Sequence, residues 1–357
     1  MSRRRTLFFI GTGTLTLALG AASGIAGCQS NTGTGTGGTG TGGEGTTTGT
    51  NTSSSSGTTS SSTSTSSGGT GGAPQDATIQ QITGLADAGI PIGPGIKVEV
   101  KGVVAMSHKF LVSQSSKGSC LWGVFLSAPG LTETAAYTGV LGLSYGTEAT
   151  IPPGGDTAYC PTIQKGDAAG DAFPDDVKPG DVLDVTGKTD SYISMSCGTK
   201  PGDSTVAQTQ LANITKATKT GTAAVPAPHV MSAMDIAGQT DASIYKQWGG
   251  VKVRTENVTA MDANPPKDPA YPIVGNFGAI TLQGSNLVVG DKVYFHPLLN
   301  SQKDICHSGP HYAASQVTFT KIDGFVYLDF CTWGLQPENR CVDLAPPSDD
   351  CGAETCP

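Results

Sequence analysis

The chain has 357 residues, of which 14% are charged and 50 are glycine. Acids outnumber bases 29 to 21, for a formal net charge of −8. Such a balance disfavours a nucleic-acid backbone or an anionic lipid surface as partner.

Arg3, Arg4 and Arg5 open the chain, and an apolar run diluted by Gly and Thr follows from Leu7 to Gly27. That run is too weakly hydrophobic for a membrane span and suits a cleaved export signal over 1–27. It closes on Ile25-Ala26-Gly27-Cys28. This resembles the lipobox of bacterial lipoproteins, in which the cysteine accepts lipid and becomes the new N-terminus. The resemblance implies lipidation of Cys28, with the membrane as a partner through that lipid. Several acyl chains anchor durably, since each buried CH₂ contributes roughly 0.8 kcal/mol. Gln29 rather than Asp follows Cys28, and in Gram-negative lipoproteins this favours the outer membrane. Arg4-Arg5-Thr6-Leu7-Phe8 also resembles a twin-arginine export signal, and a general secretory route stays open beside it.

Residues 28–73 are nearly all Gly, Thr and Ser. With so little apolar surface to bury, the tract is expected to be a disordered, lipid-anchored linker. As a flexible coil it spans about 35–40 Å root-mean-square, from roughly 5–6 Å × √n. Without the three arginines and Glu44, residues 74–357 carry 18 bases and 28 acids, a net charge of −10.

Beyond residue 74 short β-rich runs alternate with Gly, Pro, Asn and Asp turns. Ile96–Val104 alternates valine with charge, the period of a strand. Lys109–Val112 and Leu121–Leu126 continue it as a hairpin. Val182–Thr186 follows the turn Pro179-Gly180-Asp181, and a further strand is expected near Val206–Leu211. Lys252–Met261 can be laid over Lys97–Met106 with five identities in ten, 155 residues away. Asn276–Leu282, Lys292–Phe295 and Gln316–Phe330 continue this second set. Its Gly290-Asp291 turn parallels Gly180-Asp181. Two domains are expected, 74–225 with an insertion near 128–176, and 226–357.

Val98–Val104 and Pro179–Gly187 resemble the strand motifs of OB-fold modules appended to secreted bacterial nucleases and found in surface lipoproteins. Ile322–Tyr327 with Leu335-Gln336-Pro337-Glu338-Asn339 resembles their closing element. The resemblance implies an all-β fold of two tandem OB-like small β-barrels after the disordered linker. Glu338 stands where a basic residue is common, so the nucleic-acid role is not carried over with the fold.

Eight cysteines follow Cys28: Cys120, Cys160, Cys197, Cys306, Cys331, Cys341, Cys351 and Cys356. An even set in an exported chain predicts disulfides, with 105 pairings open. The last four lie close together, which predicts a C-terminal tail stapled to the second domain.

Chemistry-bearing patterns are few. His307 and His311 in Cys306-His307-Ser308-Gly309-Pro310-His311 could hold Zn or Cu, or form a solvated loop. Asp167, Asp171, Asp175 and Asp176 could hold Ca²⁺, or solubilise an insertion. His108 and His229 lack a recognisable nucleophile nearby. The chain has no Gly-x-Ser-x-Gly elbow, phosphate loop, His-Glu-x-x-His or haem-attachment motif, and no cofactor is expected. Aromatics grip strands and sugars on OB faces, and Trp122, Tyr192, Trp248, Tyr294, Tyr312 and Trp333 are available, as grips or as core. Lys97, Lys101, Lys109 and Lys117 are the candidates for a basic face, or lie on an ordinary solvated strand.

The expected function is a non-catalytic binding or structural unit for a protein or glycan partner of the envelope. Lys97, Lys101, Trp122 and Tyr192 are the expected ligand contacts. One alternative is a nucleic-acid-binding pair working with a separate nuclease. Another is a metal-dependent hydrolase using His307 and His311.

Overall fold

The computed structural model describes residues 72–346, apart from 115–117, 152–157, 162, 164–165, 200–203, 238–241, 263–279, 286, 291–292, 294–316, 330 and 340–341. The described chain is mostly β, in two seven-stranded sheets. The first half runs β1 (Gln75–Ala77), α1 (Ile79–Thr83), β2 (Lys97–Ala105), β3 (Phe110–Gln114), β4 (Ser119–Ser127), β5 (Gly139–Glu148), β6 (Asp181–Tyr192) and β7 (Gln208–Thr222). The second runs β8 (His229–Val230), α2 (Ala233–Ala237), α3 (Ala242–Trp248), β9 (Lys252–Asp262), β10 (Ile280–Leu282), β11 (Val288–Val289), β12 (Thr318–Asp329), β13 (Thr332–Gln336) and β14 (Leu344–Ala345). Among the described residues no helix is long and apolar enough to cross a membrane.

The two halves repeat one strand circuit. In the first sheet β2 pairs with β6, β6 with β7, β7 with β5, β5 with β4, and β4 returns to β2. In the second, β9, β12, β13, β11 and β10 follow the same order and close on β9. Each circuit holds one parallel pair, β5 with β7 and β11 with β13. Each is preceded by a short parallel strand, β1 on β2 and β8 on β9. Each of these leads into a capped helix. Thr78 Oγ1 accepts from the Gln81 amide at 3.2 Å, and Ser232 Oγ accepts from the Asp235 amide at 3.0 Å, both spacings typical of N-caps.

The 155-residue offset holds in detail in the opening strands. Gly102 and Asn257 occupy matching positions in β2 and β9, and both are left-handed, at φ 68° and 53°. Gly and Asn are the residues that adopt this conformation most cheaply. The Gly-Asp comparison is corrected. The partner of Val98 is Gly187 on β6, and the partner of Val253 is Gly324 on β12. β12 is thus the counterpart of β6, and the expected strand Lys292–Phe295 lies, apart from Val293, outside the described residues. A Gly-Asp turn is a local signal, whereas cross-strand register is set by pairing. The stretch 128–176, where an insertion is expected, contains β5, a full member of the first circuit.

On β6 the residues Asp181, Leu183, Val185, Gly187 and Thr189 point inward in strict alternation, the period of a half-buried strand. Such faces build one core in each sheet. A third cluster joins the halves. Phe110, Phe125 and Leu141 from the first pack with Val293, Phe325 and Tyr327 from the second. The rings of Phe125 and Phe325 stack at 4.0 Å, 4° from parallel. Backbones also meet there: a Cβ on Gly139 would lie 2.5 Å from the Gly250 carbonyl oxygen.

Two disulfides fit an oxidising, exported environment. Cys120–Cys160 ties β4 to the β5–β6 connection. Cys197–Cys331 ties the β6–β7 connection to the β12–β13 turn, so Cys331 bridges the two halves rather than stapling a tail. Cys28, Cys306, Cys341, Cys351 and Cys356 lie outside the described residues.

Candidate functional site

An open cavity of about 320 Å³ lies where α1, the end of β6, the start of β7 and α3 meet. Its walls are built by short-range hydrogen bonds. α1 forms because Thr78 caps it, Gln81 returns the bond, and Gly84 at φ 88° ends it. That brings the Thr83 hydroxyl to the Tyr137 carbonyl oxygen at 2.9 Å. On the other side the Tyr137 amide donates to the Gln247 carbonyl of α3 at 2.5 Å. Tyr137 is thereby held left-handed, at φ 66°. For a bulky residue this conformation costs about 1–3 kcal/mol, and such residues cluster at ligand sites.

The opposite wall is the end of β6. Thr189 is buried, and its hydroxyl donates to the Gly93 carbonyl at 2.6 Å. This fixes the loop that carries Ile92 and Pro94. Asp190 turns the other way along the strand. Gln210 Nε2, itself buried, donates to Asp190 Oδ2 at 2.7 Å and sets the carboxylate's orientation. Ser191, Thr209 and the exposed Lys246 complete the rim.

No family model, curated protein or solved structure matches the chain. The chemistry of the cavity therefore has to speak through its own groups. It offers one oriented carboxylate, an ammonium, hydroxyls, a fixed aromatic residue and a small apolar strip from Ile82, Ile92 and Pro94. Few placed polar groups on a partly apolar wall are the general make-up of a small-ligand site.

The residues singled out from sequence lie elsewhere. Lys97 is exposed and pairs in register with Lys188. Lys101 is exposed, but acids take its charge: Asp76 at 3.0 Å and Glu99 at 3.2 Å. Those two carboxylates raise its pKa. Trp122 is 1% exposed and packs beside Cys120, so it is core and not a grip on a ligand. Tyr192 is 53% exposed, on the strand that carries Asp190. His307, His311, Lys117, Tyr294 and Tyr312 lie outside the described residues. Among the described residues no group of three or more His, Cys, Asp or Glu could hold a metal ion.

Lys109 is corrected most sharply. It is 1% exposed, with Nζ 2.7 Å from Asp171 Oδ1 and in contact with Asp175 Oδ1. It cannot belong to a basic face, and its ammonium stands where a calcium ion would have to sit between these two acids. Burial pushes the Asp171 carboxyl upward, against the pull of Lys109.

The two noted imidazoles are each paired with an acid. His108 Nδ1 lies 2.8 Å from Glu338 Oε1. The Glu338 and Asn339 amides donate to Asp343 Oδ2, and Asp343 Oδ1 accepts from Lys252 at 2.9 Å. Arg254 grips Asp323 with two bonds, of 2.6 and 2.8 Å. Burial works against the Lys252 charge, but Asp343 and Glu338 outweigh it and raise its pKa. This network fastens the last described segment to the second sheet and to His108 of the first half. His229 meets Glu133 at 2.7 Å and stacks on Trp248.

Sequence reasoning missed Tyr137, Asp190 and Lys246. They come from three separate segments, and none belongs to a motif. The signal available for the cavity was the capping pattern Thr78-x-x-Gln81 followed by Gly84.

Proposed function

We propose that this is a lipid-anchored lipoprotein of the bacterial envelope, probing its surroundings on a flexible linker, whose β modules bind a glycan without transforming it. The observation that carries this reading is the cavity at Tyr137 and Asp190. An oriented carboxylate and hydroxyls suit vicinal sugar hydroxyls, and an apolar strip suits the C–H face of a sugar ring. The lipobox at Cys28, the Gly/Ser/Thr tract and the two disulfides support an exported protein, with outer-membrane anchoring from Gln29.

The repeated five-strand circuit supports two OB-like barrels. Such barrels bind oligosaccharides and oligonucleotides through particular loops, including the one between the fourth and fifth strands. Here β6 and β7 are fourth and fifth, and Asp190, Ser191 and Thr209 flank their connection. A glycan is favoured over a nucleic acid because Lys101 is paired with two acids, Lys109 is buried and the cavity itself carries Asp190.

The test is calorimetric titration of the full chain in mild detergent with neutral oligosaccharides and muropeptides. Saturable binding that weakens by about tenfold or more in Asp190→Asn, which keeps an acceptor for Gln210 and so the Tm, is the expected result. Absence of heat with every sugar would sink the reading. Tight binding of single-stranded DNA that weakens steeply with salt would replace it with the nucleic-acid alternative.

A further inference from the structure

Lys109 is the most deeply buried charge in the described chain. Its side chain and that of Asp171 are both 0% exposed. Nζ lies 2.7 Å from Asp171 Oδ1, touches Asp175 Oδ1, and donates to the Phe173 carbonyl at 3.2 Å. The Trp122 ring covers it, with the centroid 5.6 Å from Nζ. Asp175 is different, because 42% of its side chain reaches solvent. An amine is thus pressed against one sealed carboxyl group, and a second carboxyl group links the pair to water.

A buried ion pair is an expensive way to hold two loops together, since both charges lose their hydration. A neutral covalent link between the same atoms removes that cost. We propose that Lys109 and Asp171 condense into an intramolecular isopeptide bond, with Asp175 carrying the proton. Nζ of Lys109 bonds to Cγ of Asp171, and one Cγ–O bond breaks. The departing oxygen leaves as water with two of the three ammonium hydrogens, and the third stays on the amide nitrogen. Asp175 takes a proton from Nζ, hands it to the departing oxygen, and ends as it began. No oxidant, reductant or activated donor is needed.

Amide formation from an acid and an amine is normally reversed by bulk water. Well-oriented intramolecular partners react with effective molarities of about 10⁵–10⁸ M, which overcomes this. The Asp171 and Lys109 side chains are themselves buried, which limits re-attack by water to the Asp175 side. Burial raises the Asp171 carboxyl pKa, and this favours the protonated acid that the amine attacks. The product would join the segment before β3 to the β5–β6 connection, which Cys120–Cys160 also ties down. Unlike that disulfide, the link would survive reducing agents.

The experiment is tryptic digestion of the reduced and alkylated full chain, read by mass spectrometry. The expected result is no cleavage after Lys109. Residues 102–117 should instead appear joined to 166–188 (the Lys178-Pro179 bond resists trypsin). The joined species should be one water lighter than the sum of its two peptides. Linear peptides ending at Lys109, with an intact Asp171 peptide, would overturn the proposal. A dehydrated Asp171 peptide alongside normal cleavage at Lys109 would also overturn it, since that is a local succinimide. Asp175→Asn keeps both reacting groups and should leave most of the chain unlinked. Equal linkage in that variant would overturn the role of Asp175.

Discussion

Replacing Phe325 with alanine removes one ring of the stacked pair at the centre of the cluster shared by the two halves. Phe325 is fully buried, and Phe→Ala at such a site costs about 3–5 kcal/mol. Its ring lies 4.0 Å from that of Phe125 and beneath the Lys252 ammonium, at 5.5 Å. The stack contributes about 0.5–1.5 kcal/mol beyond area burial, so the upper end of the range is expected, about 4–5 kcal/mol. Domain stabilities are about 5–15 kcal/mol, so the variant should be severely weakened but still folded in the cold. Urea unfolding followed by tryptophan fluorescence and by far-ultraviolet circular dichroism measures this. Trp122 reports on the first sheet, and Trp248 and Trp333 report on the second half. The midpoint should fall with an unchanged slope, and both probes should move together. A loss below about 1 kcal/mol, or probes that separate, would refute a shared core. A Phe125→Leu/Phe325→Leu double-mutant cycle should show coupling of about 0.5–1.5 kcal/mol. Additivity would locate the effect outside the stack.

Further expectations concern the bond, the phenol and the glycine that join or fill the same region. Cys197 and Cys331 are 134 residues apart, so chain entropy puts the loss on replacing both with serine at about 5 kcal/mol, against the usual 2–5. An unchanged urea midpoint would show that the bond does not constrain the protein. Burial raises the Tyr327 pKa far above its ordinary value, while the unfolded chain releases that proton near pH 10. Above about pH 10 the unfolded state binds fewer protons, so stability falls as pH rises, by up to about 1.4 kcal/mol per pH unit. Tyr327→Phe should make this alkaline limb shallower, and identical limbs would refute the assignment. Gly250 sits at φ 83°, and a Cβ there would lie 2.9 Å from Val140 Cα. Gly250→Ala should therefore cost about 1–3 kcal/mol in thermal denaturation. Gly221→Ala, with nothing within 4 Å of its Cβ, should stay within about 0.5 kcal/mol.

Part of this architecture was legible in the amino-acid order. The alternation of Val98 and Val100 with charge marked β2, and the match between Lys97–Met106 and Lys252–Met261 marked the repeat. Pro179-Gly180-Asp181 marked the start of β6. These are signals carried within about ten residues, and a strand's period of two is such a signal. β5 escaped because Gly139, Gly142 and Gly146 make it read as a turn-rich insertion. In the fold those glycines are where Gly250, Ile214 and Trp122 come close. Lys109 read as a surface charge because the acids that pair with it lie 62 and 66 residues downstream. The even number of cysteines indicated disulfides, but only the folded chain selected Cys197 for Cys331 over its nearer neighbours. The cavity gathers Tyr137, Asp190 and Lys246 from segments whose separation in sequence says nothing of their separation in space. Periodicity and turn chemistry act along the backbone and can be read there. Charge pairing, disulfide choice and cavity walls depend on distances that exist only once the two strand circuits have closed.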